Sequence, residues 1–155
     1  MAKVLPNIYH TYQDKCAGYT IRRLCQEMHD FYKERKVNVL QKHLFLKNYF
    51  PIYSMSPQEA NYERVLGHGE LIDLAEAEGR VALEGGVHYP PGVPCIQPGE
   101  KWSKTAIAYF MALAEVFNLF PGFTPELQWV YMERAADGKF HVYAQVLKKE
   151  YEKIL

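Results

Sequence analysis

Six histidines and three cysteines are the side chains in this sequence best suited to metal or nucleophilic chemistry. The histidines stand at 10, 29, 43, 68, 88 and 141, in no HxH or HExxH arrangement, so their spacing offers no metal site. Cys16, Cys25 and Cys95 are widely spaced and form no CxxC pair. That spacing argues against zinc and against a disulfide framework, and reads as buried or partly buried thiols in a reducing cytoplasm. Cys25 and His29 are one helical turn apart and share a face, as a Cys–His nucleophile would require. Cys25, however, falls on an apolar stripe, where a thiol is inert packing. No GxSxG elbow is present. Gly67 and Gly69 are two residues apart but no GK[ST] follows, so the pair reads as a helix terminator rather than a phosphate loop. Asp73, Glu76 and Glu78 could serve as acids or bases, but Arg80 stands close enough to neutralise one of them. The plainer reading is an acidic turn that complements a helix dipole. No catalytic residue, metal ligand or cofactor-binding residue is assigned.

The strongest candidate is residues 85–100. Pro90, Pro91 and Pro94 fix φ and remove backbone donors, while Gly92 permits close approach. A loop this stiff, carrying His88 and Tyr89, has a path that matters. It either lines a binding site or serves as a structural crossover.

The elements that must position this segment are legible from periodicity. Residues 1–17 are irregular and read as a linker. Thr20 opens a helix whose Ile21, Leu24, Cys25, Met28, Phe31 and Tyr32 form one stripe, ending in the charged run from Lys33 to Lys36. Asn38 is placed to cap a second helix over 39–48, completing a helical hairpin, and Pro51 stops it. Ser56-Pro57-Gln58-Glu59 is a capping-box start for a helix reaching about Leu66. Residues 70–74 read as a strand, 75–80 as a helical turn and 81–84 as extended chain. Ser103 precedes a helix over 104–120, with Ile107, Phe110, Leu113, Ala114 and Phe117 inward and Pro121-Gly122 at its end. Leu127, Trp129 and Tyr131 alternate, as do Phe140, Val142, Ala144 and Val146, with Asp137-Gly138 as the turn between two antiparallel strands. Residues 148–155 add a helical turn. The fold class is α+β: a helical hairpin and further helices packed on a small, mostly antiparallel sheet, with a Pro/Gly-rich loop.

Composition narrows the function classes. Lys+Arg and Asp+Glu are 18 each, and this zero net charge excludes a general binder of nucleic-acid backbone. It also removes the repulsion that keeps small proteins apart, so self-association is expected. The sequence shows no secretory h-region and no apolar run long enough to span a membrane. Twelve tyrosines are many for 155 residues and point to a core or interface rich in amphipathic rings.

Several motifs in order carry a resemblance. Gly79-Arg80, Tyr89-Pro90-Pro91-Gly92-Val93-Pro94 and Pro98-Gly99-Glu100 resemble the signature of the C-terminal domain of the bacterial ornithine/lysine/arginine decarboxylases. The runs from Leu24 to Tyr32, Met55 to Ala60 and Pro121 to Leu127, with the closing Tyr143 to Lys148, are similar to the ornithine branch. The likeness covers about residues 5–148. It divides the chain into a linker at 1–17, the domain at 18–148 and an extension at 149–155.

The resemblance implies one domain of a cytoplasmic, oligomeric, fold-type I enzyme that uses pyridoxal phosphate (PLP) to convert ornithine to putrescine and CO2. In that family the cofactor is held by a lysine in a Ser-x-His-Lys context on the core. No His-Lys dipeptide occurs here, and Lys42-His43 has the reverse order. Decarboxylation needs the cofactor's electron sink, so no cofactor is expected on this chain and the chain alone should be inert. Its implied partner is the PLP-binding core, and its implied site is a substrate-entrance loop of His88, Tyr89, Pro90, Pro91 and Gly92. His88 departs from the proline more usual in the family, a change the resemblance places at the channel rim. The alternative is a freestanding binding module that regulates a decarboxylase.

Overall fold

Residues 18, 20–89, 92–120 and 125–152 are described by the computed structural model. The linker at 1–17, Cys16, Pro90, Pro91, Pro121-Gly122 and residues 153–155 lie outside the described residues.

Local capping chemistry sets most of the helices. Thr20 accepts a hydrogen bond from the Arg23 amide and opens α1 (Ile21–Glu34). Its inward side is Leu24, Met28, Phe31 and Tyr32, while Cys25 is exposed. The expected packed thiol is therefore corrected: Cys25 sits at the stripe's edge, on the exposed side of the helix. The second helix, α2 (Val37–His43), is shorter than the sequence suggested and lacks the Asn38 cap. Lys36, in the left-handed region at φ 52, turns the chain into it. A 3-10 turn at Lys47–Tyr49 follows, then β1 (Ile52–Tyr53). Ser56 and Glu59 form the reciprocal capping box of α3 (Pro57–Val65). Gly67, at φ 77, ends that helix as expected of a left-handed cap residue.

The strands form three small antiparallel sheets. β2 (Gly69–Asp73) is followed by a 3-10 turn at Leu74–Glu76, started by the Asp73 carboxylate accepting from the Ala75 amide. β3 (Gly86–Tyr89) pairs with β4 (Val93–Ile96), so most of the expected Pro/Gly-rich loop is a β-hairpin, with Gly92 in the turn just before β4. The prolines there hid a strand because Pro94 occupies an edge strand, where a missing donor is tolerated. β5 (Glu100–Lys101) pairs with β1, and α4 (Lys104–Leu119) starts at the Ser103 cap.

The expected C-terminal hairpin is only partly as read. β7 (Tyr131–Arg134) pairs with β8 (Phe140–Leu147), and Asp137-Gly138 makes the turn. Leu127 instead lies in β6 (Glu126–Gln128), which pairs with β3 in another sheet. Trp129, at φ 65, redirects the chain between the two sheets. Alternation continued through 127–131, but the backbone did not. The sheet orders are β1-β5, β2-β8-β7 and β4-β3-β6. Residues 149–152 form α5 (Lys149–Glu152).

α4 packs against α2 and β8 and joins these sheets. It is apolar nearly all round: Ala106, Ile107, Tyr109, Phe110, Ala112, Leu113, Ala114 and Val116 are buried, more than the single stripe expected. Val142, Ala144 and Val146 face it from β8. Phe110 and Trp102 meet edge to face, and each large apolar side chain buried this way stabilises the fold by about 1.5–3 kcal/mol.

Candidate functional site

Strand alternation divides the candidate loop. Successive side chains of β3 point to opposite faces, so His88 turns inward while Tyr89 stays about half exposed. The sequence placed the two together on one loop; the hairpin separates them. Gly92 completes the tip at φ 81, with its amide donating to the His88 carbonyl at 3.2 Å. A Cβ at Gly92 would come within 2.9 Å of the Tyr89 ring, so the tip closes only over glycine.

His88 is half-buried, and its Nδ1 lies 2.8 Å from the Tyr109 hydroxyl on α4. Burial lowers the His88 pKa and pushes the Tyr109 phenol up to about 12. Both rings are thus neutral near pH 7. The phenol can donate to Nδ1, which leaves the second ring nitrogen, Nε2, carrying its proton outward. Tyr32, whose pKa is also raised by burial, adds a second phenol.

These rings border an open groove of about 530 Å³. Helix α1 contributes His29, Tyr32 and Lys33; α2 contributes Val37, Asn38 and Gln41; β3 and α4 contribute His88, Tyr109 and Leu113. A small adjoining cavity of about 50 Å³ shares Gln41, His88 and Tyr109 and reaches Phe45, Val93 and Cys95. Cys95 is buried, its thiol pKa raised by burial. The groove is apolar at its base and studded with donors, and no carboxylate borders it. It can seat a neutral or anionic group and orient it by hydrogen bonds; it holds no nucleophile activated by a base. A second groove, of about 560 Å³, lies across α4, and two of its charged side chains are already engaged. There Arg35 pairs with Glu115 at 2.5 Å, and Asp137 accepts from the Lys139 amide.

Tyr109, Tyr32, Asn38 and Gln41 were not anticipated. The one signal for Tyr109 was a tyrosine inside an apolar helix, whose hydroxyl must find a partner when buried. Among the described residues no three His, Cys, Asp or Glu side chains converge as metal ligands would. The described helices include none long and apolar enough to cross a membrane.

The other motifs have structural duties. Arg80 does not neutralise the neighbouring carboxylates as expected. Its guanidinium bonds Glu70 at 2.8 Å, Glu152 at 3.0 Å and the Leu147 carbonyl at 2.5 Å. Burial lowers its pKa, but the bonds to Glu70 and Glu152 outweigh that and raise it. Gly99 donates to the Ala82 carbonyl and accepts from Ser54 and Met55, while Glu100 accepts from the Gln97 amide. His68 stacks on Tyr151 at 3.8 Å and bonds Glu63.

Residues 38–148 match the family model described as Orn/Lys/Arg decarboxylase, C-terminal domain. The chain is 53% identical over 148 residues, 96% of its length, to the inducible ornithine decarboxylase of Escherichia coli K12. It is 51% identical over 144 residues, 93% of its length, to the ornithine decarboxylase of Haemophilus influenzae. In each case it spans about a fifth (20%) of the curated relative. Among solved structures, the constitutive lysine decarboxylase of E. coli superposes with a TM-score of 0.75 at 28% identity, covering 93% of this chain and 20% of that one.

Proposed function

The chain belongs to the family of Orn/Lys/Arg decarboxylase C-terminal domains, and on that premise we propose that it serves as this domain of a cytoplasmic, oligomeric ornithine decarboxylase. The enzyme would convert ornithine to putrescine and CO2 in polyamine biosynthesis. One observation carries the reading: 96% of the chain aligns at 53% identity with a fifth of an ornithine decarboxylase. Identity to the lysine enzymes is lower, 29% for the inducible lysine decarboxylase of E. coli.

PLP would supply the electron sink for decarboxylation. The residues present do not fit that cofactor. Lys33, the one lysine bordering the groove, is exposed on α1, and no carboxylate stands by to pair with a pyridinium nitrogen. The chain's contribution is therefore to seat on the cofactor-bearing core and to shape the approach to its site. In this reading the entrance loop of Tyr89, Pro90, Pro91 and Gly92 borders the substrate entrance. His88, held by Tyr109, sets the path of the strand behind it.

The test replaces the matching fifth of the E. coli inducible ornithine decarboxylase with this chain. The hybrid should release CO2 from ornithine, while the chain alone, given PLP and ornithine, should release none. His88→Ala in the hybrid should change KM more than kcat, because a residue that sets the shape of the entrance acts on approach rather than on the bond broken. Turnover by the chain alone, or a folded hybrid without activity, overturns the reading. Inhibition of an intact decarboxylase by the added chain would favour a freestanding regulator.

A further inference from the structure

Residues 45–53 bring six partly exposed large apolar side chains together in one short segment. Phe45, Leu46, Tyr49, Phe50, Ile52 and Tyr53 are between 40% and 69% exposed. Apolar residues scattered singly on a surface are ordinary, but six within one short segment mark an interaction face. The segment is also held in shape. His43 stacks on Tyr49 at 4.3 Å with the planes 9° apart, and Ile52 and Tyr53 are paired to Lys101 and Glu100. Rings fixed in advance lose little freedom on contact, which is the property of residues that dominate an interface.

Charge says what kind of surface fits. No Asp or Glu occurs from Arg35 to Gln58, whereas Arg35, Lys36, Lys42 and Lys47 all do, in a chain of zero net charge. Arg35 is answered by Glu115. Lys36, Lys42 and Lys47 are exposed and form no ion pair among the described residues. The face also continues toward the hairpin, since Phe45 shares the small cavity with His88 and Val93.

We infer that the face carrying Phe45, Leu46, Tyr49, Phe50, Ile52 and Tyr53 seats this domain on the remaining polypeptide of a decarboxylase, against an apolar patch edged by carboxylates. The inference rests on the proposed function. Curated relatives are about five times longer than the aligned stretch, so most of such an enzyme lies beyond the residues seen here. A seat at this face would also set the Tyr89–Gly92 tip against the neighbouring polypeptide. Lys36, Lys42 and Lys47 would steer and orient the contact, and the rings would hold it.

The experiment uses the same hybrid, in which this full chain replaces the matching fifth of the E. coli enzyme. Phe50→Asp with Tyr53→Asp should lower activity about tenfold or more and open the junction to limited proteolysis, since losing ring anchors costs at least that factor. Lys36→Glu, Lys42→Glu and Lys47→Glu together should weaken the hybrid roughly threefold to tenfold, with the loss reduced by added salt. Leu71→Asp, on an exposed edge strand of a different sheet, should leave activity unchanged. Circular dichroism of each variant in the isolated chain separates misfolding from lost docking, because Phe50 and Tyr53 are more than half exposed there. A Phe50→Asp/Tyr53→Asp hybrid as active and protease-resistant as the unmodified one overturns the inference. So does a result in which those substitutions instead abolish dimerisation of the isolated chain, or its binding to phosphatidylcholine–phosphatidylserine vesicles. An unmodified hybrid that folds without activity overturns the domain reading, and this inference with it.

Discussion

His88 on β3 and Tyr109 on α4 are joined by a 2.8 Å contact between Nδ1 and the phenol. The contact ties the hairpin bearing the Tyr89–Gly92 tip to the most buried helix. Burial lowers the His88 pKa from the 6.5 of an open imidazole. The unfolded chain therefore takes up the proton first. This contribution to stability is complete above pH about 6.5 and is lost as pH falls from there through the folded-state value. NMR titration of the imidazole should place His88 below 6.5. His88→Gln should flatten the fall in urea midpoint on the acid side. A His88 that titrates at or above the open value would contradict the burial argument.

Arg80 should matter for stability more than any exposed ion pair. It gathers Glu70 from β2, Glu152 from α5 and the Leu147 carbonyl from the end of β8, and its side chain is only 11% exposed. Arg80→Ala strips the partner from a carbonyl and two carboxylates, at a cost of roughly 1–3 kcal/mol. Arg80→Lys keeps the charge but not the fork, and should recover less than half of that loss. Deleting residues 149–155 removes Glu152 and also the Tyr151 ring stacked on His68. Arg80→Ala and the deletion should be less than additive in chemical denaturation, because they share the Arg80–Glu152 bond.

What could be read from residues alone was what local chemistry decides. Thr20, Ser56 and Ser103 each cap a helix where the sequence put one, because a hydroxyl finds its amide within three residues. The alternation of Val142, Ala144 and Val146 gave β8 its buried face. Non-local effects were not legible. Nothing near Trp129 announces that the chain leaves one sheet for another, since both strands keep the same alternation. Nothing near Arg80 distinguishes the distant Glu152 from the nearby Asp73 and Glu76. In the candidate site, His88 was visible as an imidazole in a stiff segment. Tyr109, its partner 21 residues on, was hidden in an apolar helix.

The capping box predicts a measurable helix effect. Ser56 accepts from the Glu59 amide, and the Glu59 carboxylate accepts from the Ser56 amide at 2.7 Å. Ser56→Ala should cost about 1 kcal/mol. Hydrogen bonds from Ser56 lower the Glu59 pKa below 4.5. The stabilisation by Glu59 is therefore present above pH about 4.5 and lost as pH falls through its folded value. Thermal melts from pH 3 to 7 should show the acid-side decline shrinking in Glu59→Gln.

Two left-handed glycines separate strain from crowding. Gly138, at φ 78 in the β7–β8 turn, has open space where a Cβ would go. Gly138→Ala should cost only the backbone strain, about 1 kcal/mol. Gly99, at φ 88, has the Met55 carbonyl oxygen 2.1 Å from the same point. The chain cannot relax away from it, because Gly99 donates to Ala82 at 2.7 Å and accepts from both Ser54 and Met55 at 3.0 Å. Gly99→Ala must therefore break those bonds or compress the contact, for roughly 3–4 kcal/mol of strain and overpacking. It should also unpin β1 from β5, and with it Ile52 and Tyr53. Hydrogen exchange at the Ser54 and Met55 amides reads this directly: protection should collapse in Gly99→Ala and persist in Gly138→Ala. Equal losses from the two substitutions would mean that conformational freedom, rather than the approach of the Met55 carbonyl, is what demands glycine at position 99.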